Sequence, residues 1–168
     1  MTFHDEFVQL FETHFGKLYR FFDRLSGDPE LAADVAQGAF ARLYHRGAMP
    51  DSPQAWLISV AMNLLRNERS TVTRRRNLLA IVGAEAVVAA TPPSPFEQVA
   101  ERESRDRVRA ALDRLPERER HLLLLRAEGY SYREMAVALR LTETSVGTLL
   151  ARAKQTFRET FEGAHDAT

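Results

Sequence analysis

The chain has 168 residues, of which 45% are hydrophobic and 27% are charged, a composition that excludes wholesale disorder and is typical of a globular protein with a buried core. It has no cysteine, which excludes disulfides, thiolate metal sites and thiol nucleophiles. The 23 basic and 23 acidic residues balance, so a uniformly basic nucleic-acid-binding protein is also excluded, but basic residues cluster at 66–76 and 152–158 and predict a bipolar surface.

Three helices are predicted in the first part of the chain. Apolar residues recur at steps of three and four from Phe3 to Leu25, the spacing of one helical face, and Gly27 ends this first helix. Asp28-Pro29 provides an N-cap followed by a first-turn proline, and Ser52-Pro53 repeats that signal, so a second and a third helix are predicted. The three helices are expected to share one core and to form a domain over residues 1–76.

The helical pattern stops between residues 77 and 95, which contain a short Ala-rich stretch and the run Thr-Pro-Pro-Ser-Pro. Prolines lack a backbone N–H and restrict the preceding residue, so we predict a flexible linker here. Ser94 and Glu97 have the spacing of a capping box, which predicts the start of a charged helix that runs to about Arg114. A second domain is therefore expected over residues 96–168.

The second domain contains the signals for two helices joined by a short turn. Pro116 opens a helix that Gly129 ends, and Ser131 and Glu134 then form a capping box for a short helix. The chain restarts at Thr142 with an apolar stripe along a long final helix. The predicted fold class is therefore all-α, with two small helical domains joined by a flexible linker and a C-terminal helix-turn-helix.

Polar side chains are predicted on the outer face of this motif, because its apolar residues are needed for the joint between the two helices. Hydroxyl groups can bond base edges or phosphates, and arginine can hold guanine or phosphate in a forked contact. A plain αα-hairpin with polar outer residues is the alternative interpretation. The candidate DNA-binding residues are Arg133, Thr144, Ser145, Thr148, Arg152 and Lys154.

Five segments carry a resemblance to a known family. In the second domain they are Asp113-Arg-Leu-Pro-Glu-Arg-Glu-Arg, Gly129-Tyr-Ser-Tyr-Arg-Glu-Met-Ala and Ser145-Val-Gly-Thr. In the first domain they are Asp34-Val-Ala-Gln-Gly-Ala-Phe and Pro53-Gln-Ala-Trp-Leu-Ile-Ser-Val-Ala-Met-Asn. They resemble region 4 and region 2 of the extracytoplasmic-function (ECF) sigma factors, in the family order. The resemblance implies a subunit that binds core RNA polymerase, recognises and melts promoter DNA, and directs promoter-specific transcription initiation.

The resemblance also assigns roles to the first domain. Its second helix would dock on the clamp of RNA polymerase, with Asp34, Gln37 and Phe40 as the expected polymerase-binding residues. Its third helix would bind the non-template strand of the minus-ten element, and amide and cationic side chains there suit single-stranded DNA. The candidate promoter-melting residues are Asn63, Arg66, Asn67, Arg69, Arg74 and Arg75. Region 4 would read the minus-thirty-five element.

Two features of the first domain bear on base capture. The loop from Arg46 to Ser52 has no aromatic residue, whereas many members of the family stack one there, so capture of a flipped base by this loop is left open. Trp56 is interpreted as a core residue, because its neighbours Leu57 and Val60 are apolar.

No cofactor, metal site or small-molecule substrate is expected. The five histidines lack tight metal-ligand spacing and are interpreted as surface residues, and neither a Gly-rich phosphate loop nor a nucleophile motif is present, so we expect no enzyme. No signal segment or bilayer-spanning stretch is found, so a cytoplasmic protein without membrane insertion is expected. The family resemblance further implies an anti-sigma factor as an inhibitory partner.

Two alternatives to a polymerase subunit stay open. A free-standing helix-turn-helix regulator could dimerise through the first domain and recognise a palindrome. An all-α protein-interaction module without a role on DNA is the third class. The first alternative predicts tight palindrome binding without polymerase, and the second predicts that changing Thr148 or Arg152 alters nothing in transcription.

Overall fold

The computed structural model of the chain describes the backbone of residues 1–82 and 97–166, and the side chains of residues 1–69, 99–164 and 166. Within those ranges the chain forms seven helices and no strand, which confirms the predicted all-α class. None of the described helices is both long and apolar enough to span a bilayer.

Three helices form the first bundle: α1 (Phe3–Ser26), α2 (Pro29–Arg46) and α3 (Pro53–Val82). Both predicted boundary signals between α1 and α2 are confirmed. Gly27 adopts a left-handed φ of 69° and its N–H donates to the carbonyl of Asp23. The Asp28 side chain accepts from the N–H of Leu31 at 3.1 Å. A left-handed residue followed directly by an N-cap turns the chain sharply, so α2 folds back along α1.

The core of the first bundle lies between all three helices. Leu18 and Phe22 of α1 and Ile58 of α3 are fully buried, as expected for apolar residues spaced along one helical face. At the α2–α3 contact, a Cβ added to Gly38 would lie 2.9 Å from the Cδ1 atom of Leu64. The absence of a side chain at position 38 therefore allows these two helices to approach closely.

Helix α3 extends further than the sequence predicted. We expected residues from 77 onward to belong to the linker, but α3 continues to Val82. The segment from residue 77 to residue 82 contains no glycine or proline, so nothing in it opposes continuation of the helix. The rest of the predicted linker, residues 83–95, lies outside the described residues, together with the expected capping of α4 by Ser94.

Four helices form the second bundle: α4 (Glu97–Asp113), α5 (Glu117–Ala127), α6 (Tyr132–Leu139) and α7 (Glu143–Asp166). Gly129 has φ 88° and so provides the predicted left-handed turn after α5. The predicted capping box of α6 is also present. Ser131 Oγ accepts from the N–H of Glu134 at 3.1 Å, and Glu134 Oε2 accepts from the N–H of Ser131 at 2.8 Å.

The joint between α6 and α7 is a helix-turn-helix. Met135 of α6 and Val146 of α7 are fully buried in this joint. The turn after α6 packs against Ala136, whose carbonyl accepts from the Leu141 N–H at 2.8 Å, and the small Ala136 side chain leaves room for this contact. Arg140 closes α6 in the left-handed region, with φ 56°. No sequence signal predicted this conformation, because arginine rarely adopts it.

The two bundles pack against each other through a buried tyrosine. Tyr130, in the turn between α5 and α6, is fully buried, and its hydroxyl lies 3.2 Å from Nε2 of His14 on α1. The Lys17 ammonium lies 4.3 Å from the centre of the Tyr130 ring, a cation–π contact. The turn before the helix-turn-helix is therefore buried against the first bundle.

Charged and backbone contacts extend this interface. The Glu128 carboxylate, whose side chain is only 5% exposed, accepts from Arg20 Nε at 3.0 Å and from an Arg24 guanidinium nitrogen at 2.7 Å. At the α3–α6 contact, Ser59 Oγ donates to the Ala138 carbonyl at 3.2 Å. The Glu128 contacts thus join the first bundle to the turn before the helix-turn-helix, and the Ser59 contact joins it to α6.

Candidate nucleic-acid interface

The first turns of α7 present a polar outer face, as predicted. Thr144, Thr148, Arg152 and Lys154 are exposed, whereas Val146, Leu150 and Ala153, which alternate with them, are buried. Because the apolar side chains of α7 pack against the rest of the second bundle, the polar side chains are directed away from the fold. A helix with hydroxyl and guanidinium groups along its outer face has the shape and the donors that the major groove accepts.

The Ser145 hydroxyl, at the start of α7, is held within the protein rather than free to contact DNA. Ser145 is only partly exposed, and its hydroxyl is 2.7 Å from Oγ1 of Thr142. The Thr142 hydroxyl in turn accepts from the Ser145 N–H at 3.1 Å and so caps the helix. Ser145 is therefore placed to support the helix start rather than to reach outward, although it was predicted as a DNA contact.

Cationic groups flank these hydroxyls. Arg133 on α6 and both Arg152 and Lys154 on α7 are exposed, and none has an ion-pair partner among the described residues. Unpaired cations on a protein surface are available for phosphate groups. The helix-turn-helix therefore brings exposed hydroxyl groups and unpaired cations together on its outer surface.

A second candidate surface lies on α3. The predicted residues Asn63, Arg66, Asn67 and Arg69 are all exposed, and an Arg66 guanidinium nitrogen donates to the Asn63 side-chain oxygen at 3.1 Å. This contact orders the arginine along the helix. The backbone of α3 also includes residues 74 and 75, but the predicted Arg74 and Arg75 side chains lie outside the part of the chain described.

The loop before α3 is closed by a cation–π contact. The Arg46 guanidinium lies 5.8 Å from the centre of the Trp56 ring, and Trp56 itself is only partly buried. Trp56 packs against the hydrophobic core, as predicted, but part of its ring is accessible beside the arginine. Aromatic and cationic groups in contact are the combination that single-stranded nucleic acids stack on and track.

The polymerase-facing residues predicted on α2 fall into two groups. Asp34 and Gln37 are exposed, but Phe40 is only 2% exposed. Its ring packs against Phe11 and Phe7 of α1 with centroids 5.1 and 6.0 Å apart. Phe40 was therefore wrongly expected to contact a partner directly, because α1 covers it.

Sequence reasoning missed two aromatic residues beside Phe40. Phe11 is 40% exposed and Tyr44 is 54% exposed, although Phe11 falls within the apolar stripe predicted for the first helix. Both belong to one aromatic cluster, since the Phe7 ring contacts each of them. The signal was the width of the α1 stripe, which is richer in aromatic residues than one buried face can accommodate.

The histidines are a second correction. His14 and His121 are 1% and 6% exposed, whereas both were expected at the surface. Burial lowers the pKa of each imidazole to about 4, so both are neutral at pH 7. Among the described residues, no histidine takes part in a group able to hold a metal ion.

The chain matches two family descriptions. Residues 10–75 match Sigma-70 region 2 and residues 105–157 match Sigma-70, region 4. The chain is 30% identical over 167 residues to the ECF RNA polymerase sigma factor SigL of Mycobacterium tuberculosis, covering 91% of this chain and 87% of SigL.

Two solved structures share the fold. CnrH, in complex with the cytosolic domain of CnrY, superimposes with a TM-score of 0.67 at 22% identity and covers 95% of this chain and 90% of CnrH. The sigma factor RpoE of Bartonella quintana, in complex with the anti-sigma factor NepR, gives a TM-score of 0.60 at 21% identity, with 94% and 97% of the two chains covered. With both regions matched in order, and with the similarity to SigL extending over nearly the whole chain, the protein belongs to the ECF RNA polymerase sigma factors.

Proposed function

We propose that this sigma factor binds core RNA polymerase with its first bundle and directs transcription initiation by reading and melting promoter DNA. Residues 1–76 act as region 2 and residues 96–168 as region 4, joined by the segment from 77 to 95. The protein acts in the cytoplasm and has no catalytic activity of its own. The observation that carries the proposal is the polar outer face of α7, whose buried residues alternate with exposed ones.

Recognition of the minus-thirty-five element is assigned to α6 and α7. Thr144, Thr148 and Arg152 line the face that enters the major groove, and Arg133 and Lys154 bind phosphates on either side. Exposure and the lack of ion-pair partners among the described residues support these roles. Specific contacts of this kind contribute about 1–3 kcal/mol each.

Promoter melting is assigned to the exposed side of α3. Asn63, Arg66, Asn67 and Arg69 contact the displaced strand, and Arg74 and Arg75 are proposed as further contacts from their place in the sequence. Capture of a base by the loop from 46 to 52 would have to use Trp56 and Arg46, because that loop contains no aromatic residue.

Docking on polymerase is assigned to α2 and to the aromatic residues beside it. Gln37 and Tyr44 are seven residues apart, which places them two turns apart on one side of the helix. Asp34 adds a carboxylate to this surface, and the exposed part of Phe11 adds apolar area. An exposed aromatic cluster rimmed by polar residues is typical of a protein interface.

An anti-sigma factor is the further partner that we propose. RpoE, which shares the fold, was crystallised with the anti-sigma factor NepR. An inhibitor that covers the aromatic surface of α1 and α2 would block polymerase docking, since both partners would need the same residues.

The proposal is tested by measuring core-polymerase binding and promoter opening separately. We expect Arg152→Gln to lower promoter opening about tenfold, because one phosphate or base contact is lost, while core binding is unchanged. Tyr44→Ala should instead weaken core binding directly, so that promoter opening falls only as a consequence. Arg102→Gln is the control, since it removes the same charge from an exposed position of α4, outside the helix-turn-helix.

Two results would overturn the assignment. One is failure of the purified chain to associate with core polymerase and to start transcripts from any promoter selected from genomic DNA. The other is tight binding to a palindromic site in the absence of polymerase, which would identify a free-standing regulator instead.

A further inference from the structure

A cleft of about 470 Å³ lies between the two bundles, with walls from α3, α5 and the end of α6. Its volume falls within the range of about 300–1,000 Å³ that is typical of sites for small molecules. Asn63 and Arg66, which we assign to the DNA surface, contribute one wall, but the other walls belong to the second bundle. The cleft is therefore distinct from the face of α7.

Three arginines from three different elements line the cleft. Arg66 comes from α3, Arg118 from the first turn of α5, and Arg140 from the turn after α6, whereas Glu117 is the one acidic residue that lines it. Within the described ranges, Arg118 and Arg140 have no hydrogen-bond or ion-pair partner, and Arg66 donates to the uncharged Asn63. Positive charge thus gathers without matching negative charge, which favours an anion.

A buried histidine completes this wall. The His121 side chain is 8% exposed and lines the cleft. Its ring has no hydrogen bond among the described residues, and its Nε2 atom is 3.8 Å from the nearest Glu117 oxygen. Burial lowers the pKa of His121 to about 4, so at pH 7 the ring is neutral and has one N–H to donate.

The N-terminus of α5 adds partial positive charge to that of the three arginines. Pro116 is its N-cap residue and no side chain caps its first turn. The N–H groups of a first helical turn have no partner within the helix and carry partial positive charge, which adds to the attraction of an anion. The Glu117 and Glu119 carboxylates oppose that attraction, since both lie in the same turn, and Glu119 is buried.

We propose that this cleft binds a small free anion carrying phosphate groups, held by Arg66, Arg118 and Arg140. Planar guanidinium groups bind phosphate oxygens in pairs, and three of them from different directions suit a compact polyanion. The ligand would contact both bundles at once. A DNA backbone offers the same phosphate chemistry, but a concave site walled on three sides suits a discrete ion better than a continuous strand.

Pyrophosphate is the probe, titrated calorimetrically into the full-length protein at constant ionic strength and without polymerase or DNA. We expect saturable binding, which Glu117→Gln tightens several-fold by removing the opposing carboxylate. A gain in affinity cannot result from damage to the fold. Arg140→Gly should weaken binding about tenfold without lowering the Tm, because glycine adopts the left-handed φ of 56° at that position more readily than arginine.

Arg102→Gln is again the matched control and should bind pyrophosphate as the unmodified protein does, because Arg102 does not line the cleft. The proposal is overturned if pyrophosphate does not saturate, or if Glu117→Gln and Arg140→Gly both bind like the control. It is also overturned if a single-stranded oligonucleotide binds in a manner that depends on Arg140 and pyrophosphate does not compete, since the cleft then belongs to the DNA surface. Because polymerase is absent, these outcomes are independent of the sigma-factor assignment.

Discussion

Single residues decide how the folded chain responds to acid. His14 lies in the interface between the bundles, with its Nε2 atom 3.2 Å from the Tyr130 hydroxyl. Burial lowers the pKa of His14 to about 4 and raises the pKa of Tyr130. Both groups are therefore neutral near pH 7, and the interface carries no buried charge at this point.

This burial predicts loss of stability in mild acid. Between about pH 6.5 and 4 the unfolded chain binds a proton at His14 that the folded chain does not. The free energy of unfolding therefore falls as the pH drops through this window. His14→Gln should reduce the loss between pH 7.5 and 5 by about 2 kcal/mol, measured by urea unfolding.

His4→Gln is the control for this experiment, because His4 lies on the same helix but is exposed. Its unfolding free energy should follow the same pH profile as that of the unmodified protein. An unchanged profile for His14→Gln would show that the His14 ring is not held neutral in the folded state.

At the scale of elements, the helix-turn-helix depends on its caps. α6 has only eight residues, too few to be stable alone, so its start is fixed by packing and by the reciprocal bonds of Ser131 and Glu134. Arg140 ends it in a left-handed conformation, which costs about 1–2 kcal/mol for a residue with a Cβ. The orientation of α7 relative to the rest of the fold therefore depends on the turns on both sides of α6.

Removing the first cap should destabilise this motif measurably. Ser131→Ala deletes the acceptor of the Glu134 N–H, and we expect a loss of about 1 kcal/mol in the free energy of unfolding. Thr13→Ala is the comparison, since its exposed hydroxyl only bonds back to the Gln9 carbonyl within α1. A Ser131→Ala protein as stable as Thr13→Ala would mean that packing alone fixes the start of α6.

At the scale of the whole molecule, the two bundles are joined by contacts between side chains that are far apart in the chain. Glu128 is the centre of the charged part, because its carboxylate is 5% exposed and is held by two arginines that are more than half exposed. A carboxylate in that position needs both partners, whereas the arginines can be hydrated when the bundles separate.

Neutralising Glu128 should therefore favour separation of the bundles. Glu128→Gln is expected to raise the radius of gyration measured by X-ray scattering above the value of about 15 Å that a compact chain of this length has. Glu68→Gln, at an exposed position of α3, should leave the radius unchanged. If Glu128→Gln stays as compact as that control, apolar packing around Tyr130 suffices to hold the bundles together.

The elements and the polar outer face of α7 could be predicted because their signals are local. Asp28, Gly129 and the Ser131 capping box act within a few residues of themselves, and each is found as predicted. The predicted end of α3 was several residues too early, because without a glycine or proline no local signal marks where the helix stops. The burial of Phe40 could not be predicted in the same way, because it depends on tertiary contacts with aromatic residues of α1 that cover its ring.

The sequence by itself determined the all-α class, the order of the helices and the polar face of α7, because periodicity and capping are set by neighbours in the chain. Only the tertiary structure decided that His14, Tyr130 and Glu128 meet, and that three arginines line one cleft. The residues in these contacts are separated by as many as 116 positions. No local pattern encodes such a pairing, because it depends on how the finished bundles fit together.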